Sequence, residues 1–374
     1  MSDLPFVRDE VRGFTPYAPG LSIDEIREKY GLARVIKLAS NENPLGVPPL
    51  AERALVRTAP LAFRYPRGGN PALTAGIAGH FGLDPAGVVA GNGSDEIIDL
   101  LIRVAARPGL DNVVAFSPCF SIYVHQSRLC GVAMRQVPLA GDFSFDFEAL
   151  LSVVDDSTAL VFVTNPDNPS GHAVPADELA DLARRLPTRT ILVVDEAYAD
   201  FADPAKDYTL LPRVKDFPNV AVLRTFSKMY GLAGLRLGFG AMSPALADYL
   251  RRVRLPFSVN LMAEAAGLAA MQDTPFIAAT RETVLRGRAQ VAAALADMGC
   301  QVCPSMANFL MFTPPLAASR VFTELLARGV IVRSLTSYGL PDRLRVSLGS
   351  DEENAAFVAA MGEILQQADP ADAT

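Results

Sequence analysis

The chain has 374 residues, half of them hydrophobic and 20% charged, which suits a globular protein with a large buried interior and room for two domains. Its 34 basic and 41 acidic side chains leave a formal charge of −7, with no basic patch or tail, which argues against nucleic acid or an anionic membrane surface as a partner. No run approaches the roughly 18 consecutive apolar residues of a spanning helix. The opening MSDLPFVRDEVRGF mixes both charge signs without an apolar stretch and does not read as a secretory signal, so the cytoplasm is the expected compartment.

The first segment with chemical content is GNGSDEIIDLL (91–101). Two glycines lead into Ser94, Asp95 and Glu96 and then a helical apolar pattern; the free N–H groups of such a helix start can hold a phosphate. Glu96 stands where a dinucleotide fingerprint needs its third glycine, and taken alone the segment is an ordinary helix start. VVAFS (113–117), TALVFVTN (158–165), TILVVDEA (190–197) and VAVLRTFS (220–227) read as buried strands, and ADELADLARRL (176–186) as a helix between two of them. Strands joined by crossover helices predict a parallel sheet covered on both faces, with ligands at the carboxyl ends of the strands.

The polar motifs fall at those ends. TNPDNPSG (164–171) is a rigid turn from which Asn168 can present an amide. In VVDEAYADF (193–201), Asp195 closes an apolar strand, where it either caps the next helix or pairs with a cation held in a pocket. Tyr198 lies three residues on. In RTFSKMYGLAGLRLGFG (224–240), Lys228 ends a strand beside Thr225 and Ser227, an environment in which a lysine amine can be desolvated and made nucleophilic. Two hydroxyls with Arg236 suit a phosphate dianion. Alanine-rich stretches (262–271, 281–298) then lead into NFLMF (308–312), GVIVRSL (329–335) and LRVSLG (344–349), a smaller α+β unit. The boundary is expected near a helix starting around residue 245. Cys119, Cys130, Cys300 and Cys303 read as ordinary thiols, the lone C-x-x-C lacking a second pair at zinc spacing. The three histidines, His80, His125 and His172, are scattered, and no metal site is expected.

The ordered set NPSG, DEAY, TFSK and the following arginine resembles the aspartate aminotransferase superfamily, the fold-type I pyridoxal-phosphate enzymes, over roughly residues 10–365. The resemblance implies a large domain with a mostly parallel, seven-stranded-type sheet (46–255), a small C-terminal domain (256–374) and an N-terminal segment (1–45) packing on the small domain and on a partner. It implies that Lys228 carries the cofactor as a Schiff base and shuttles the proton, that Asp195 pairs with the pyridine nitrogen, and that Asn168 and Tyr198 bond the ring's 3-oxygen. Phe120 would stack on the ring. Ser94, Asp95, Thr225, Ser227 and Arg236 would hold the phosphate, joined by Tyr65 from the neighbouring subunit of a homodimer.

A narrower resemblance, to the histidinol-phosphate aminotransferases, is carried by TPYAPG (15–20), KLASNENPLG (37–46), RYPRGGNPAL (64–73), TFSKMYGLAGLRLGF (225–239), GVIVR (329–333) and YGLPDRLRVSLGSDEEN (338–354). It implies that Arg345, Arg333 and Tyr17 meet the substrate's phosphate, and that the reaction exchanges an amino group between L-histidinol phosphate and 2-oxoglutarate in histidine biosynthesis. Cys119 departs from the expected threonine, and LRVSLGS from an LRITVGT-like ending; both weaken the narrower assignment only. Alternatives are an aromatic-amino-acid aminotransferase, a pyridoxal-phosphate decarboxylase of a phosphorylated amino acid, and a non-catalytic regulatory module, for which a nucleic-acid-binding domain is wanting.

Overall fold

Thr158–Thr164 and Val220–Thr225 are buried at every position. Such runs suit strands covered on both faces, and their alternate residues feed two different cores. Val161 and Val163 join one apolar cluster, while Leu160 and Phe162 join the other on the opposite face. A computed structural model of the chain describes residues 4, 6–14, 22–203 and 207–367; Tyr17 lies outside them.

In chain order the strands are β1 (Ile36–Lys37), β2 (Val88–Asn92), β3 (Asn112–Ser117), β4 (Ala133–Pro138), β5 (Thr158–Thr164), β6 (Ile191–Asp195), β7 (Val220–Thr225), β8 (Leu237–Met242), β9 (Gln301–Val302), β10 (Phe309–Thr313), β11 (Val330–Ile331), β12 (Arg333–Ser334) and β13 (Leu344–Ser347). Seven of them form one sheet in the order β2-β8-β7-β6-β5-β3-β4, in which β8 alone runs antiparallel to its neighbours. Helices Ser94–Ala105 and Ala176–Arg185 bury their apolar stripes against it. The carboxyl ends of β5, β6 and β7 place Thr164, Asp195 and Thr225 along one edge.

Helices Pro244–Val253, Leu261–Gln272 and Thr274–Asp297 lead to a second, antiparallel sheet of order β12-β13-β10-β9. The segment GVIVRSL does not form one strand. It breaks at Val332: β11 pairs in parallel with β1, and β12 pairs with β13. This break stitches residues 36–41 to the C-terminal sheet. Leu38 donates from its N–H to the Ile331 carbonyl at 2.7 Å and accepts from Ser347 N–H at 2.8 Å, and Asn308 donates to the Asn41 carbonyl at 3.1 Å. The segment Ser40–Glu42 is thereby brought to the carboxyl edge of the large sheet, where Ser40 and Glu42 border a cavity. Among the described residues no helix is long and apolar enough to cross a membrane.

Candidate active site

Ser94 begins its helix because the chain turns sharply before it. Gly93 adopts φ +75°, a left-handed conformation open to glycine, and a Cβ there would lie 2.7 Å from Arg236 Nη2. Gly238, on the adjoining strand β8, has no room for a side chain either; its Cβ would meet Ser94 N at 2.4 Å. Glu96 closes the turn by accepting from Asn92 N–H at 2.6 Å, which is what this residue does where a dinucleotide fingerprint would have glycine. The helix start therefore presents bare N–H groups to a cleft walled by backbone.

Around that start lie Arg236, Ser227 and Thr225. Arg236 donates to Ser227 Oγ at 3.4 Å and to Asp95 Oδ2 at 3.2 Å. Asp95, whose acidity burial lowers, thus steers the guanidinium. Serine, threonine, arginine and helix N–H groups together form a site for a dianion.

The same cavity of about 280 Å³ is lined as well by Asp195, Thr164, Asn168, Tyr198, Phe120 and Lys228. Asp195 is 3% exposed. Burial pushes its carboxyl up to about 6, opposed by the Tyr123 hydroxyl, which donates to Asp195 Oδ2 at 2.7 Å, and by Ala197 N–H at 3.2 Å. A buried carboxylate with two neutral donors and no cation in contact has an open position for one. Lys228 donates from Nζ to the Ser40 carbonyl at 3.1 Å. Burial first, and then the nearby Arg345 charge, push its amine down to about 8.

Tyr198 accepts from Asn41 Nδ2 at 3.1 Å, and Asn168 Oδ1 accepts from Arg345 at 2.5 Å. Both residues are satisfied as acceptors, which leaves the Tyr198 hydroxyl proton and the Asn168 amide protons for whatever occupies the cavity. Arg345 also donates to the Ala39 carbonyl at 3.1 Å and lies over the Phe309 ring.

Ten residues singled out in the sequence line this one cavity: Ser94, Asp95, Phe120, Asn168, Asp195, Tyr198, Thr225, Ser227, Lys228 and Arg236. Arg345 reaches it through Asn168. Arg333 stands outside the lining, opposite Arg345 on the neighbouring strand. Tyr65 is also outside it, 81% exposed and stacked on Phe257 at 4.9 Å. Sequence reasoning missed Tyr123, Thr164, Ser40, Asn41 and Glu42. Residues 40–42 lie within KLASNENPLG, where the asparagines and glutamate were a signal without an assigned chemistry. Tyr123 carries none, being one aromatic in a helical pattern. Cys300 and Cys303 are free thiols whose ionisation burial disfavours, the reverse of a redox pair, and no cluster suited to a metal occurs among the described residues.

A dianion cradle, a depressed lysine and a buried acid at the carboxyl edge of a mostly parallel sheet define a fold-type I pyridoxal-phosphate enzyme. The family described as aminotransferase class I and II matches residues 33–361. The histidinol-phosphate aminotransferase of Oleidesulfovibrio alaskensis is 58% identical over 364 residues, 96% of this chain and 95% of its own. That of Nitratidesulfovibrio vulgaris (strain DP4) is 58% identical over 362 residues, 97% of each chain. Among solved structures, histidinol-phosphate aminotransferase from Sinorhizobium meliloti in complex with pyridoxal-5'-phosphate superposes with a TM-score of 0.88 at 27% identity, covering 98% of this chain and 99% of that one. The chain belongs to the class I and II aminotransferases and, within them, to the histidinol-phosphate aminotransferase family.

Proposed function

We propose that the protein transfers an amino group reversibly between L-histidinol phosphate and 2-oxoglutarate, with pyridoxal 5'-phosphate as cofactor, as a cytoplasmic step of histidine biosynthesis. The observation that carries the reading is the placement of Lys228, Asp195 and Arg236 on the walls of one cavity, with Arg345 at its edge. The cofactor fits these residues: the helix start at Ser94 and the two side-chain-free glycines leave a backbone cradle for its phosphate, and Asp195 leaves an open cation position for its ring nitrogen.

Bound there, the cofactor supplies an aldehyde for an amine and a ring that takes up electrons from the substrate carbon. The chain's residues then have distinct tasks. Ser94 and Asp95 offer helix N–H groups, and Thr225, Ser227 and Arg236 add side-chain donors, to anchor the phosphate. Asp195 keeps a proton on the ring nitrogen. Tyr198 and Asn168 donate to the ring's 3-oxygen, and Phe120 covers one face. Lys228 Nζ, whose ionisation burial lowers to about 8, is neutral in part near physiological pH, and in that form takes a proton from the substrate carbon and returns it.

The substrate's phosphate falls to Arg345 and Arg333, whose Cα atoms are register partners on β13 and β12. Two guanidinium forks suit a dianion better than a carboxylate, which one fork satisfies. Tyr17 is assigned to the same phosphate.

We further assign the protein to homodimers in which Tyr65 completes the partner's phosphate site. In support, Tyr65 stacks on Phe257 outside the cavity, Phe63 lines the same groove, and Leu61 and Leu255, near them in sequence, are also exposed. The expected division into an N-terminal segment (1–45), a large domain (46–255) and a small one (256–374) goes with this assignment.

The test is a half-reaction. Cofactor-loaded protein is mixed with L-histidinol phosphate or L-phenylalanine, and the cofactor absorbance is followed. Fast loss with histidinol phosphate, reversed by 2-oxoglutarate, supports the reading. Preference for phenylalanine replaces it with aromatic aminotransfer, and release of carbon dioxide replaces it with decarboxylation.

A further inference from the structure

Tyr123 is the largest polar side chain at the site with no part in the scheme above. It is 1% exposed and lies on the helix Ser121–Leu129, one turn beyond Phe120. Its hydroxyl touches two groups: Asp195 Oδ2 at 2.7 Å and Thr164 Oγ1 at 2.8 Å. An ionised carboxylate only accepts, so the single Tyr123 proton goes to Asp195. Thr164 must then donate its own proton to the Tyr123 oxygen. The result is a one-directional chain, Thr164 to Tyr123 to Asp195, with its end on the carboxylate.

The ring cannot leave this position. It stacks on Phe162 with centroids 4.5 Å apart and planes 12° apart, and meets Phe120 edge-on at 5.7 Å. Phe162 and Thr164 belong to the same strand, so β5 fixes both the plane of the ring and the partner of its hydroxyl.

Resting on the proposed function, we infer that Tyr123 is a positioning residue whose hydroxyl, oriented by Thr164, holds Asp195 as the ionised partner of the cofactor's ring nitrogen. The burial that surrounds Asp195 favours its neutral form, and a neutral acid would leave the ring nitrogen unprotonated. A charge-assisted hydrogen bond from an immobile donor opposes that, and chains of such bonds strengthen one another in a low dielectric. Without Tyr123, the proton shared between Asp195 and the ring nitrogen moves toward the carboxylate, and the ring becomes a poorer electron acceptor.

The experiment uses the cofactor-loaded, full-length protein with Tyr123→Phe, which removes one oxygen and keeps the stacked ring. The cofactor carries ¹⁵N in its ring, and its resonance reports ring protonation without turnover. The expected result is displacement of the resonance toward the unprotonated form, together with a fall of about tenfold in kcat and little change in KM for histidinol phosphate. Thr164→Val, which removes the donor behind Tyr123, shifts the resonance the same way by less and serves as the reading if the phenylalanine variant does not fold. An unchanged resonance in a folded variant overturns the inference and makes Tyr123 a core tyrosine with a satisfied hydroxyl, whatever its melting temperature. Failure of wild-type protein to transaminate any amino donor is a different failure: it removes the function itself, and this inference with it.

Discussion

Arg333 and Arg345 are directly opposed across the β12–β13 ladder, two cations in register where a sheet ordinarily pairs opposite charges. Arg345 is buried and anchored by Asn168 and the Ala39 carbonyl, with its Nε unpaired. The Arg333 side chain is half-buried and has no ion-pair or hydrogen-bond partner among the described residues. Like charges opposite one another cost a few tenths to about 1 kcal/mol, and a dianion between them removes that cost.

Arg333→Met therefore has opposite effects on the free and the liganded protein. In the absence of phosphate compounds it raises stability by a few tenths to about 1 kcal/mol. It also raises KM for histidinol phosphate by roughly 10–100-fold, the loss of one charge-assisted contact, and affects glutamate much less. Thermal unfolding with and without histidinol phosphate, and KM for both donors, measure the two effects; equal changes for both donors would remove Arg333 from phosphate recognition.

Asp195→Asn separates stability from function. The carboxyl is held up to about 6 in the folded chain against an ordinary 3.8, so folding binds a proton between those values. Stability of the cofactor-free protein then falls as pH rises from about 3.8 to 6 and stays low above it. The asparagine variant lacks this slope and is the more stable at pH 7, while its turnover drops by roughly 10²–10⁴ because the ring nitrogen loses its partner. Glu196 and Asp167 titrate in the same region, at about 7 and about 6, so the difference between the two proteins' pH–stability curves is the quantity to measure.

Lys228→Ala abolishes covalent capture of the cofactor, seen as the absence of a mass adduct after borohydride reduction. In wild-type protein the capture rate rises with pH through about 8 and then levels, because only the neutral amine attacks. A plateau reached only near 10.5 would mean that burial does not lower this amine. Gly238→Ala tests the cradle from the other side. Its methyl group would press on Ser94 N from 2.4 Å, so cofactor affinity falls while the lysine is untouched.

The large sheet was legible because its strands are unbroken β-branched runs, and the site because each polar motif sits where such a run ends. Asn168, Asp195, Tyr198, Lys228 and Arg236 owe their recognition to local spacing. What stayed hidden depends on long-range pairing. Ser40 and Asn41 reach the site because β1 pairs with β11, some 294 residues later, and no local pattern announces a two-residue strand. Nor does GVIVRSL show that it will divide at Val332 between two sheets. Tyr123 reads as core until the fold places Asp195 against its hydroxyl.

Phe63 and Leu255 are each 73% exposed, and Tyr65 is 81% exposed, although each is large and mostly apolar. A second copy covering this patch would bury it and bring Tyr65 to the partner's phosphate cradle. Sedimentation should show a dimer, and Phe63→Glu or Leu255→Glu should shift it to monomer and release cofactor, because a carboxylate in an apolar interface is not paired. Tyr65→Phe should leave the dimer intact and weaken cofactor binding by about tenfold, the loss of one hydrogen bond to a charged group. A wild-type monomer that holds cofactor fully would show that each cavity is complete within its own chain.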